Sequence, residues 1–174
     1  MFFLIKLNKE VILTTADLDN RDIKKIIKAK LVEKIIGICT EKLGYFIKIV
    51  SIGELPNGYI MDTTGDIVFN IEYKVIVMRQ FKGEICDGLV EKILPDGEGL
   101  IVRIGPMKVF ISNEDIPSVF KKDVKNNNYQ SENDSISVGD KVRFKIKETQ
   151  YKHEFFEFAP TGTMNEKYLG HSSE

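Results

Sequence analysis

The 174-residue chain has no tryptophan, only two cysteines, two histidines and five prolines, and it carries almost no net charge. Each shortage excludes something. Two cysteines cannot build a disulfide framework of the kind small secreted domains use. Cys39 and Cys86 lie in apolar, strand-like segments and are expected to be buried free thiols in a reducing compartment. A formal charge of −1 excludes a generic polyanion-binding surface, so any nucleic-acid contact needs a local patch. No HExxH, paired CxxC, phosphate-binding GxxxxGK[ST] loop or GxSxG occurs. Asp62, Asp66, Asp87 and Asp96 have no histidine or metal-ligand spacing around them and are read as turn or strand acids. No long hydrophobic run occurs either. The apolar start, MFFLIKLNKEVIL, is broken by Lys6, Lys9 and Glu10, and reads as a strand rather than a leader or membrane span. A soluble intracellular protein without catalytic equipment is expected, so function has to come from binding surfaces.

The 43% hydrophobic fraction is ample for one large or two small cores. After the first strand, Asp17–Asn20 offers helix-capping residues. Ile23, Ile26, Ile27, Leu31, Val32, Ile35 and Ile36 then mark one face of an amphipathic helix that Gly37 ends. Its other face holds Arg21, Lys24, Lys25, Lys28, Lys30 and Lys34, either a solvated face or a docking face for an acidic partner or RNA. Strands are expected over Ile38–Ile52 and Ile67–Met78. The Gly53–Asp66 connection between them is polar and turn-rich, yet places Tyr59, Ile60 and Met61 at its centre. These three either cap the parent sheet or form a contact tip.

From Phe81 the pattern changes to short strands punctuated by Gly83, Gly88, Gly97, Gly99 and Gly105, the signature of a small OB-fold barrel. A helical or turn segment follows at Ser112–Phe120, and Lys121–Ser135 reads as a polar, mobile insertion with Tyr129 its only aromatic. In Asp140–Lys147, Val142, Phe144 and Ile146 alternate with Lys141, Arg143, Lys145 and Lys147. A period of two puts the four cations on one side of a strand at roughly 6.5–7 Å steps, close to the spacing of phosphates in an extended single strand. The opposing reading is the solvated outer face of a barrel. Phe110, Tyr151 and Phe155 are candidates for base stacking or for core, and Lys108, after the Gly105-Pro106 turn, projects near the barrel rim or into solvent.

The order of these features carries a resemblance. Phe81-Lys82-Gly83-Glu84, Asp87-Gly88, Gly105-Pro106-Met107-Lys108-Val109-Phe110, Tyr129-Gln130-Ser131 and Tyr168-Leu169-Gly170, on a chain opening Met1-Phe2-Phe3, resemble the family of the seventh-largest subunit of eukaryotic RNA polymerase II, which has an archaeal relative. The resemblance spans essentially the whole chain. It implies an α+β protein, with a ribonucleoprotein-like β-α-β-β domain at residues 1–80 packed against a C-terminal five-stranded OB-fold barrel at 81–174. It further implies a non-catalytic, cofactor-free stalk subunit in the nucleus, without membrane contact. Such a subunit forms a heterodimer with the fourth-largest subunit and docks on the polymerase II core near the clamp. The docking tip would be Gly58–Gly65, with Gly58, Tyr59, Ile60, Met61, Asp62 and Gly65 in contact. Where family members often have Pro-x-Asp-Gly, this chain has Asp62-Thr63-Thr64-Gly65. The barrel would bind nascent single-stranded RNA through Lys108, Phe110, Lys141, Arg143, Lys145, Lys147 and Tyr151. Leu100 stands where such barrels often carry an aromatic, which shifts weight to Arg143, Lys145 and Lys108. The alternatives are a free-standing RNA-binding or translation-factor module on the same barrel, and an RNA-processing accessory whose nuclease activity would depend on Asp87 or Asp96.

Overall fold

A computed structural model describes residues 1–19, 22–95, 97–123, 127–132 and 134–171. Asn20, Arg21 and Asp96 therefore lie outside the described residues. The chain divides into two compact units, Met1–Arg79 and Gln80–Glu174.

The first unit contains β1 (Phe2–Leu13), α1 (Ile23–Ile35), β2 (Cys39–Thr40), β3 (Gly44–Ile52), β4 (Tyr59–Ile60) and β5 (Ile67–Met78). Its sheet runs β1-β5-β3-β2, entirely antiparallel, with β4 added to β5 in line with β3. Alternation on β5 does what a period of two requires. Phe69, Ile71, Tyr73, Val75 and Val77 are buried with Val11 and Leu13 under Ile27, Leu31 and Ile35 of α1, while Asn70, Glu72 and Lys74 are exposed.

Two expectations change here. The helix cap is Asp22, whose side chain accepts from Lys25 N–H at 3.3 Å. Asp17 instead sits in a 3-10 turn, held by Thr14 and Lys30. The Lys30 hydrogen bond, aided by Thr14, pulls its carboxyl down to about 2. The segment Ile38–Ile52 is not one strand but two, separated by a turn at 41–43 that leads into Gly44 at a positive φ of 85°. A Cβ there would stand 2.3 Å from the Met78 carbonyl oxygen. Gly37, also at positive φ, follows the helix as its left-handed terminator.

The second unit contains β6 (Ile85–Ile93), β7 (Gly99–Ile104), β8 (Met107–Ser112), β9 (Lys121–Asp123), β10 (Asn128–Gln130), β11 (Ser135–Ile136), β12 (Lys141–Lys152), β13 (Glu157–Thr163) and β14 (Gly170–His171). Strands β13-β8-β7-β6-β12 are neighbours in that order, and a β13–β12 pairing closes the ring into a five-stranded barrel, with β14 added to β12. Only β13–β8 is parallel. This is the connectivity of an OB-fold. Leu100, Val102, Val109, Ile111, Val142, Phe144 and Ile146 fill the interior.

The polar stretch 121–135 is not simply an open loop: its described part forms the small sheet β11-β10-β9. Tyr129 stands directly opposite Ile136 and both are fully buried. Average composition hides such a buried pair. A turn at 153–156 joins β12 to β13 and leaves Phe155 and Phe156 exposed at the end of that hairpin, so Phe155 is not in the core.

Candidate nucleic-acid interface

Strand β12 brings the predicted cations to the barrel surface. Val142, Phe144 and Ile146 point inward, and Lys141, Arg143, Lys145 and Lys147 lie on the outer side. A register shift between Ile146 and Glu148 marks a bulge at Lys147.

The cations are not a bare row. Arg143 stands opposite Asp87 of β6 and donates through Nε and Nη2 to its two carboxylate oxygens at 2.7 and 2.9 Å. Lys145 holds Glu166 at 2.8 and 3.0 Å. Lys147 reaches Asp115, in the turn after β8, at 3.1 Å. Lys108 pairs with Glu91 at 2.7 Å. Except for the mostly buried Asp115 carboxylate, the members of these pairs are a third or more exposed, where an ion pair is worth about 1 kcal/mol or less and a phosphate can compete for the cation.

Two surface clefts of about 360 Å³ each flank the Asp87–Arg143 pair. One is lined by Arg143, Lys167 and Tyr168, the other by Arg103 and Lys141 with the Gly105 turn. Arg103, Lys167 and Tyr168 were not singled out as site residues from sequence. The signal for Tyr168 was present: an aromatic beside Leu169-Gly170 at the end of the chain. It is 94% exposed, at an uncommon positive φ of 67°. Lys167 and Arg103 carry no pattern of their own and become visible only when β6, β7 and the tail converge.

The predicted aromatics divide. Phe110 is half-buried on β8, between Ile101 and Thr161. Tyr151 lies beyond the span of β12 that pairs with β6, where β12 and β13 continue together as a hairpin. Its ring makes edge contacts with His153 at 5.0 Å and Phe158 at 5.2 Å. Leu100 is fully buried, so the β7 position offers no stacking surface.

In the first unit, Met61 N–H donates to Asp66 O and Gly65 N–H to Met61 O, both at 2.8 Å, closing the tip around Asp62. Tyr59 and Ile60 are 56% and 66% exposed, so they do not cap the parent sheet. Gly58 is needed because a Cβ would lie 2.6 Å from Ile67 and 2.8 Å from the Phe69 ring.

Cys39 and Cys86 are not joined in a disulfide; Cys39 is buried as expected, but Cys86 on β6 is only half-buried. Burial, with Glu84 adding to it, pushes the Cys86 thiol up to about 11, so it carries little thiolate at neutral pH. Among the described residues, no cluster of three or more His, Cys, Asp or Glu side chains is placed to hold a metal ion. No described helix is long and apolar enough to cross a membrane.

Asp87 supplies a pH test. The hydrogen bond from Arg143, and then the charges of Arg143 and Lys141, hold its carboxyl below the ordinary 3.8 against the opposing effect of burial. A folded-state value below the unfolded one adds stability above about pH 4, which is lost as pH falls through the folded value. Asp87→Asn is expected to flatten that acid limb, by about 1 kcal/mol or less at neutral pH given the exposure of the pair. Thermal melts from pH 7 down to pH 2 measure it.

The S1 RNA binding domain family matches residues 79–155, covering the barrel up to the β12–β13 turn. Over its whole length the chain is similar to the DNA-directed RNA polymerase II subunit RPB7 of Saccharomyces cerevisiae, at 32% identity over 98% of this chain and 99% of that protein. It is 34% identical to the corresponding subunit of Dictyostelium discoideum over 81% of this chain and 82% of that protein. With that of Schizosaccharomyces pombe it shares 31% identity over 97% and 98%. With an OB barrel of S1 type following an antiparallel sheet packed on one helix, and with similarity running from end to end, the chain belongs to the family of the seventh subunit of DNA-directed RNA polymerase II.

Proposed function

We propose that this protein is a non-catalytic stalk subunit of nuclear DNA-directed RNA polymerase II. It pairs with the fourth-largest subunit, braces the clamp through Gly58–Gly65, and holds nascent single-stranded RNA against the barrel during initiation and elongation. The observation that carries the reading is similarity spanning both units of the chain rather than the barrel alone. A shared barrel by itself would fit any S1-type RNA binder.

The tip supports docking because two large apolar side chains, Tyr59 and Ile60, stand in water on a short, closed hairpin. The barrel supports RNA contact by exchange. Asp87, Glu166, Asp115 and Glu91 neutralise the cations at rest, and an incoming phosphate displaces a carboxylate. That favours weak, salt-sensitive and sequence-tolerant binding, which suits a moving transcript.

Affinity purification of the tagged chain tests the assembly. Polymerase II core subunits together with the fourth-largest subunit are the expected co-purifying proteins. Ribosomal proteins in their place would support the free-standing module instead. A Tyr59→Asp/Ile60→Asp chain is expected to keep the fourth subunit and lose the core, because the change is confined to the tip.

A further inference from the structure

The first unit has an open sheet edge beside a groove that the stalk reading does not use. Strand β3 is bonded on one side to β5. On its other side β2 covers only Gly44 and Tyr45. The last bond on that side is at Phe46, whose N–H donates to Ile38 O at 2.9 Å and whose carbonyl accepts from Gly37 N–H at 3.0 Å. Among the described residues no strand pairs with this edge over residues 47–52.

Between this edge and α1 runs a groove of about 270 Å³. Its apolar floor includes Ile27, Ile49 and Leu55, and Val50 is 52% exposed along the edge. Its rim carries Lys24 and Lys28, four residues apart on α1, both exposed.

An unpaired edge is ordinarily blunted by proline, by a very short strand or by cover. Here β3 has register shifts at Phe46/Lys48 and Ile49/Ser51 but neither proline nor cover, and the charge on the groove rim, from Lys24 and Lys28, is positive alone. We propose that this edge accepts an extended acidic–apolar segment of another polypeptide as an added strand. Main-chain hydrogen bonds to β3 supply the pairing. Alternate side chains of the added strand face the helix, so an apolar one enters over Ile27 and Leu55 while carboxylates two residues before and after it meet Lys24 and Lys28. The site accounts for both the apolar floor and the single-signed rim, which a solvated helix face leaves unexplained.

The probe is an acetylated and amidated peptide, Thr-Glu-Thr-Ile-Thr-Glu-Thr, titrated into the isotope-labelled full-length chain. Amide shifts are expected at Lys24–Lys28 and Ile49–Gly53, away from the Tyr59–Met61 tip and the barrel. Lys24→Glu/Lys28→Glu is expected to weaken binding roughly tenfold while leaving the thermal midpoint close to that of the parent, since both side chains are solvent-exposed. A Glu-to-Gln peptide should weaken similarly. N-methylation of alternate residues separates strand addition from simple apolar contact. One methylation pattern should abolish binding and the other, whose amides point to solvent, should keep it. No shifts at millimolar peptide, shifts confined to other surfaces, survival of both methylation patterns, or indifference to the lysine reversal would each overturn the proposal.

Discussion

Gly99→Ala is expected to cost the barrel about 3 kcal/mol or more, enough to leave a sizeable fraction of the second unit unfolded near physiological temperature. Gly99 opens β7 at a φ of 145°, where side-chain-bearing residues are rare. Its Cβ would stand 2.1 Å from the Ile111 carbonyl oxygen and 2.9 Å from Ser112 Cα. Both obstacles are backbone of the paired strand β8, so no rotamer change can relieve them. The adjacent Gly97 makes the contrast. It also has a positive φ, 76°, but the nearest atom to its Cβ would be the Lys122 side chain at 3.8 Å. Gly97→Ala should therefore lose only the cost of the left-handed backbone, about 1 kcal/mol. Denaturant titrations of the two variants measure the difference. Equal losses would mean that β7 and β8 do not approach so closely at this point.

The second large effect concerns RNA. Arg143→Glu/Lys145→Glu is expected to lower single-stranded RNA affinity by more than about tenfold. Each change replaces a cation with an anion and sets it beside its former partner, Asp87 or Glu166, so a surface that attracted phosphate there repels it. The slope of log affinity against log salt should fall by about 0.7 for each phosphate that the barrel no longer engages. The reverse change is equally informative. Asp87→Asn/Glu166→Gln releases Arg143 and Lys145 from their acids and should raise affinity severalfold. Anisotropy titrations with a uridine oligomer, made on the full-length chain, read both. If the two double variants move affinity in the same direction, phosphate exchange along β12 is the wrong description.

These two cases also show where sequence patterns reach their limit. The glycine punctuation after Phe81 pointed to a barrel because the need for positive φ or close approach is local and leaves a residue-type mark. The alternation on Asp140–Lys147 pointed to an outer cation row for the same reason. The helix face of Ile27, Leu31 and Ile35 was equally legible, since 3.6-residue periodicity survives without knowledge of partners. What pairs with the cations was not. Asp87 and Arg143 are 56 residues apart and meet only through the β6–β12 register, and Asp115 and Glu166 arrive from a turn and the tail. No one-dimensional pattern connects them. The cap at Asp22 escaped for a smaller reason. Several Asp and Asn residues precede the helix, and only the geometry selects the one that bonds Lys25 N–H. Tyr129 and Ile136 were masked by the asparagines and charges between which they sit.

Photocrosslinking in a transcribing polymerase II complex containing this chain is the most direct test of the central claim, that the barrel surface around β12 receives the emerging transcript. With a 4-thiouridine placed at successive distances behind the growing end, adducts should map to peptides carrying Lys141–Lys152 and Lys167–Tyr168, and Arg143→Glu/Lys145→Glu should diminish them. Adducts that fall only on other subunits, or on Met1–Arg79, would contradict the account.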